Sequence, residues 1–460
     1  MIIRRMICLL LLATAMQMHA QQGGNEYARY YENLPVNLQQ AAMPTIPDRT
    51  VRLTDFGGGG DGKTLNTEAF RKAIACLAKE GGGRLIVPQG YWKTGPIELD
   101  NNIELHLERN AFIVMSEDKR LFIDPANPKG RCLPGIRADE CTNIAITGEG
   151  IIDGNGGDWR YAKRNKMSDA EWNQLKEKGG MVSNDGKMWY AWKLKNGAPD
   201  ISDTPERQER RRNDLVRFYK CDRGLLKGVT VENSPRFHVH PFQCTNLIID
   251  GVTVVCPWNA QNGDGIDLSD CQRALIVNAT VDVGDDGICL KSSKLKGESI
   301  RGVEDVLIQN CYVRHAHGGF VLGSNTAAGM LRIVCRNNTY TQTHTGLRFK
   351  SAADRGGRTE QIYVDNILMK DIQTDAIVFQ CDYADDGRGK KKNETEEWIP
   401  DFQDIHISNV VCDGAQRAIH ASGLAGHNCV HDISISGCTF VNMLNDNNID
   451  TATTKITIDN

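Results

Sequence analysis

Four short stretches carry the residues that could do chemistry: Asn262-Gly263-Asp264, Asp285-Asp286, Ala316-His317-Gly318 and Arg348-Phe349-Lys350. Two or three carboxylates beside a bound sugar suit cleavage of a glycosidic bond. One protonates the leaving oxygen while another activates water, with the pair about 6.5–9.5 Å apart when configuration inverts. Crowding raises the pKa of one carboxyl and so keeps it protonated as the acid. Arg348 and Lys350 stand two apart, so on a strand they share a face, and an arginine fork beside an ammonium suits a substrate carboxylate. The combination points to hydrolysis of an acidic polysaccharide. Each stretch alone has a plainer meaning: Asp-Gly is a common turn pair, and Arg and Lys guard exposed strand edges. His315 and His317 could hold a metal, but no acidic third ligand is evident in the sequence.

Bringing these stretches together requires a repeat, and one is present. From residue 140 onward a phrase returns, read as CTNIAITGEGII at 141, CDRGLLKGVTV at 221, CTNLIIDGVTV at 244, CQRALIVNATV at 271 and VEDVLIQNCYV at 303. It continues at 330, 359, 402 and 430. Each copy holds an alternating strand, a Gly or Asn suited to a left-handed turn and a second short strand, with no room for a ten-residue helix. A leucine-rich ladder is missing. The pattern predicts an all-β right-handed parallel β-helix. Counted from the third residue of each phrase, Asp264, Asp285, His317 and Arg348 recur at offsets between 12 and 18. Rungs about 4.8 Å apart would gather them in one groove. Asp285 and Asp286 pose a difficulty, because strand neighbours point to opposite faces. The flanking Gly284 and Gly287 predict a local bulge that turns both carboxylates outward.

At these residues the sequence resembles the polygalacturonases, glycoside hydrolase family 28, whose signatures Asn-Thr-Asp, Asp-Asp, Gly-His-Gly and Arg-Ile-Lys follow in this order on successive coils. Gly263, Ala316 and Phe349 depart from the pattern and leave every charged group in place. The resemblance covers about residues 50 to 440. It implies an inverting hydrolase without metal or other cofactor, with Asp285 as general acid and Asp264 and Asp286 positioning and activating water. It further implies that His317 supports the acid and that Arg348 and Lys350 hold a galacturonate carboxylate. Asn262, and His240 in SPRFHVHPF with His238 beside it, are expected to reach the same groove. An exo-acting polygalacturonase on pectin fragments is the leading expectation. A rhamnogalacturonan-directed hydrolase, a non-catalytic β-helix adhesin or binding protein, and a calcium-dependent eliminase stay open.

The elements around the repeat complete the plan. Residues 1–20 read as a secretory signal peptide, with Arg4 and Arg5 before an apolar run and Ala20 at its end. The mature chain is expected to be exported to the periplasm or beyond the cell, without a membrane span, as a monomer. Residues 21–48 form an extension and 49–460 a single β-helix domain. Helical spacing of Phe70, Ala73, Ile74 and Leu77, a capping Asn66 or Thr67 and a Gly81 stop predict an amphipathic helix over the open amino end. An insert at 155–215 breaks the period with a possible helix, MSDAEWNQLKEKG, four tryptophans (Trp159, Trp172, Trp189 and Trp192) and a basic run ending at Arg212. It is either a solvated lid with its own small core or a wall closing one end of the groove. A formal net charge of −4 offers no general field for nucleic acid. The cysteines form no CxxC pair and are expected mostly as buried thiols, with one or two disulfides left open. The run Gly57 to Thr64, GGGGDGKT, matches a phosphate loop, yet no alternating βα pattern follows it. It is expected to be a tight turn into the cap helix rather than a nucleotide site.

Overall fold

The computed structural model describes residues 26–183, 185–191, 211–293, 302–383 and 398–459. The proposed signal peptide, Trp192 and most of the basic run lie outside these residues. The chain winds into a right-handed parallel β-helix with three faces. The third face is an 11-stranded sheet that includes Val216–Tyr219, Val239–Phe242, Ile266–Ser269, Ile288–Ser292, Gly318–Thr326 and Thr345–Lys350. The other two faces join into one 22-stranded sheet, because late strands such as Met330–Thr341 and Arg358–Lys370 run across both.

Left-handed residues recur in each coil, two of them within the repeated phrase. The Gly or Asn of the phrase has positive φ as expected, from Gly228 and Gly251 to Asn278 and Asn310. Five residues earlier, the third residue of the phrase is left-handed too, at Asn143, Arg223, Asn246, Arg273, Asp305 and Arg332, where φ lies between 53° and 56°. A side chain there costs about 1 kcal/mol or more. Side-chain hydrogen bonds from coil to coil offset this strain: Arg223 donates to Asn143 at 2.9 Å, Arg273 to Asn246 at 3.0 Å and Arg332 to Asp305 at 2.7 Å.

Inward positions stack as rows of aliphatic and aromatic residues. Val216, Val239, Ile266, Ile288, Phe320 and Leu347 follow one another on the third face. Phe349 lies parallel to Phe379 at 4.5 Å between ring centres. Its departure from the family's Ile therefore fills the core and leaves Arg348 and Lys350 facing out. The cysteines of the described residues are free thiols, nearly all buried.

The helix Thr67–Lys79 covers the first coil with Ala69, Phe70, Ala73, Ile74 and Leu77. Asn66 precedes it but does not cap it. Its amide instead pins the glycine loop, accepting from the Gly59 N–H at 2.8 Å and donating to the carbonyls of Gly59, Thr64 and Lys93. The backbone N–H groups of Lys63 and Thr64, which a phosphate would need, donate to Asp61 at 2.9 and 2.8 Å. The glycines serve packing: a Cβ on Gly60 would stand 3.0 Å from the Trp92 ring. Residues 26–43 form a strap on the outside of the solenoid, where Tyr27, Tyr30, Leu38 and Ala41 cover an apolar row that includes Leu225, Ile248, Leu275 and Leu307. No helix among the described residues is long and apolar enough to cross a membrane.

Candidate active site

Turns entering the third face, and the face itself, build one pocket of about 360 Å³. Asp264, Asp285, Asp286 and His317 all stand in turns just ahead of strands, while Arg348 and Lys350 project from Thr345–Lys350. The expected bulge is absent at Asp285-Asp286. Both residues precede Ile288–Ser292, where strand alternation does not yet apply, and so both reach the pocket.

Asp285 accepts from the backbone N–H of Asn262 at 3.0 Å and from that of Asp286 at 3.1 Å. His317 Nδ1 lies 3.0 Å from its Oδ1. The other ring nitrogen, Nε2, faces Lys166 Nζ at 2.9 Å. An ammonium only donates, so Nε2 accepts and the proton of neutral His317 sits on Nδ1, aimed at Asp285. Asp286 binds Lys350 at 2.8 Å and stands 3.8 Å from Arg348. Lys291 bridges Asp264 at 3.1 Å and Asp267 at 2.7 Å. Asp285, Asp286 and His317 bring possible ligand atoms within 4.8 Å of one another. Lys350, Arg348 and Lys166 face those atoms, so the group is an ion-pair cluster in which a cation would meet three positive charges.

Burial alone would raise Asp285, yet His317, then Lys350 and Lys166, outweigh it and hold the carboxyl well below the usual range. Burial likewise opposes ionisation of Asp286, and Lys350 leads the groups that keep it low. Asp264 goes the other way: burial, reinforced by Asp267, pushes it well above the usual range despite Lys291. Burial and the neighbouring carboxylates therefore favour a proton on Asp264 over one on Asp285. The resemblance placed it on Asp285.

Of the expected site residues, Asp264, Asp285, Asp286, His317, Arg348, Lys350 and Asn262 line the pocket, and His240 does not. His240 lies on the neighbouring strand, hydrogen-bonded to Asp214 at 2.7 Å and Ser269 at 3.2 Å. His238 is buried and structural, with Nδ1 at 2.8 Å from the Asp264 carbonyl, and burial pushes it down to about 4. The Asn262 side chain is occupied by Arg212 at 2.8 Å, so its contribution to Asp285 is its backbone N–H.

Several lining residues went unread in the sequence. Lys291 has the outward parity opposite to Ile288 and Leu290, a signal that was available. Tyr161, Lys163 and Lys166 come from the insert, where nothing periodic marks them. Ser168 and Glu171 form a capping box that starts the helix Asp169–Glu177 and sets the chain direction just past Lys166. Arg212 is a buried strut rather than part of a solvated run. It donates to the carbonyls of Pro235 and Gln261 and lies over the Tyr161 ring, tying the insert to the loop that holds Asp285.

Stacked parallel coils that gather carboxylates and cations in one surface pocket place the chain among the parallel β-helix proteins with a charged groove. The sequence model described as glycosyl hydrolases family 28 matches residues 161–457, and the chain belongs to that family. It is 30% identical over 408 residues to an exo-poly-alpha-D-galacturonosidase of Dickeya chrysanthemi, covering 82% of this chain and 65% of that protein. This chain thus spans just under two thirds of that relative's length. A Vitis vinifera protein described as a probable polygalacturonase is 27% identical, with 81% of this chain and 70% of that one covered. Among solved structures, a hyperthermoactive exopolygalacturonase from Thermotoga maritima superimposes with a TM-score of 0.73 at 29% identity, covering 92% of this chain and 94% of that one.

Proposed function

We propose that the protein is an inverting exo-polygalacturonase that hydrolyses galacturonic-acid linkages in pectin fragments outside the cytoplasm. The observation that carries the proposal is the meeting of Asp264, Asp285 and Asp286 with Arg348 and Lys350 in one pocket. The carboxylates supply acid and base, and the two cations suit the uronate carboxylate. Exo action is supported by the insert, whose Tyr161 and Lys163 wall the pocket and whose Lys166 reaches His317. The unit that acts is the single β-helix domain from residue 49 onward, working as a monomer.

The proton must be reconciled with this role. A galacturonate carboxylate seated on Arg348 and Lys350 places negative charge beside the cations that hold Asp285 and Asp286 low, so substrate binding itself moves Asp285 toward its protonated form. A second reading follows from the raised Asp264: that residue is the acid and Asp285 with Asp286 activate water. Two measurements test these readings. Homogalacturonan oligomers should yield saturated monogalacturonate, lost in Asp285→Asn; unsaturated, ultraviolet-absorbing products, or full activity in the variant, refute hydrolysis at this site. An aryl galacturonide with a good leaving group then identifies the acid, because only the acid's Asn variant regains rate on it.

A further inference from the structure

We propose a second uronate-binding site on the third face, built on Arg217, Tyr219, Phe242 and His240, which holds another stretch of the same acidic chain outside the catalytic pocket. The proposal rests on the galacturonan reading of the catalytic pocket. Arg217 follows Val216 and Arg348 follows Leu347, and the strand register carries Val216 through Val239, Ile266, Ile288 and Phe320 to Leu347. The two arginines therefore occupy the same outward row of the same sheet. Three rungs, roughly 14 Å, separate Arg217 from the strand that follows Asp285 and Asp286.

Their surroundings repeat as well. Arg348 lies 5.5 Å from the Tyr383 ring centre, and its Nε is buried without a hydrogen-bond partner. Arg217 lies 5.5 Å from the Tyr219 ring and 5.9 Å from Phe242, and its Nε is likewise buried without a partner. Among the described residues no carboxylate pairs with Arg217. The carboxylates nearby are engaged: Asp139 with Arg137, and Asp214 with Arg236 and His240. A guanidinium with its fork unpaired is suited to a carboxylate that arrives from outside.

The rings supply the remainder of a sugar site. Tyr219 and Phe242 stack at 5.5 Å, and His240 continues the line at 6.3 Å from Phe242 and 5.1 Å from Phe237, which borders the catalytic pocket. Aromatic faces take the apolar faces of sugar rings while the cation reads the uronate. An acidic chain held here raises the local concentration of its own ends at the catalytic pocket. The consequence is a preference for long substrates.

Binding of tetragalacturonate by calorimetry, in an Asp285→Asn/Arg348→Gln background that disables the catalytic pocket, tests the site directly. Residual binding should survive there and fall about tenfold or more when Arg217→Gln is added; a neutral galactose oligomer should not bind. In the catalytically intact chain, Arg217→Gln and, separately, Tyr219→Ala should each lower the ratio of kcat/KM for long over short galacturonates several-fold. Residual binding indifferent to Arg217→Gln, or an unchanged ratio in both variants, overturns the second site and leaves the catalytic reading intact. A wild-type chain that binds tetragalacturonate through Arg217 but hydrolyses no galacturonate overturns the catalytic reading instead.

Discussion

Replacing Lys350 by Met removes the leading partner of a carboxylate with almost no water around it. Lys350 Nζ lies 2.8 Å from Asp286 Oδ2, and the two side chains are 6% and 3% exposed. Truncating one member of such a pair strands the other charge and costs about 3–5 kcal/mol. Lys291 and Arg348 still act on Asp286, so the lower end applies, about 3 kcal/mol or roughly a hundredfold in the folding equilibrium. The pH dependence follows from the direction of each shift. Asp286 is held low in the folded chain, so its contribution is present above the ordinary carboxylate value of about 4 and is lost as pH falls through the folded value. Lys350 is raised when folded, so its contribution is present below the ordinary lysine value of about 10.4 and is lost as pH rises through the folded value. The deficit of Lys350→Met should therefore be widest between about pH 5 and 9 and narrow in acid, where Asp286 takes up a proton. Guanidinium unfolding of wild type, Lys350→Met, Asp286→Asn and the double variant measures the coupling. About 2–3 kcal/mol is expected at pH 7, with the double variant recovering most of the loss. Single effects that add to within about 0.5 kcal/mol at pH 7 would refute the reasoning.

Lys166→Met should lower kcat about 10- to 100-fold, because His317 loses the donor that sets its proton on the Asp285 side. Lys166→Arg should restore part of that rate, and steady-state kinetics with an unchanged kcat in Lys166→Met would remove Lys166 from the site. Asn66→Ala deletes four hydrogen bonds in the amino-terminal turn and should cost about 2–4 kcal/mol, read as a lowered thermal midpoint. Lys63→Ala, in the same phosphate-loop match, should change stability by less than about 0.5 kcal/mol and leave hydrolysis as in wild type.

How far the sequence reached depended on whether a feature is local. Strand alternation, the Gly or Asn of each turn and the apolar face of the cap helix are properties of a few neighbouring residues. The fold and the pocket's main residues follow from them, because a solenoid turns sequence period into spatial adjacency. The cap helix was legible for that reason, whereas the role of Asn66 was not: its partners Gly59 and Lys93 come from either side of it. His240 was expected in the groove but stands beside the pocket, held by Asp214 and Ser269, distant partners that its own local sequence does not reveal.

The sequence by itself determined a parallel β-helix, the gathering of Asp264, Asp285, Asp286 and His317 at one groove, and the outward parity of Arg348 and Lys350. Only the tertiary structure decided that Lys166 reaches His317 across 151 residues, that Arg212 fastens the insert to the loop holding Asp285, and that burial pushes Asp264 up while nearby cations hold Asp285 low. The insert has no period to transmit its position along the chain. Protonation likewise depends on burial and on summed charges at particular distances, and those exist only once distant segments have packed together.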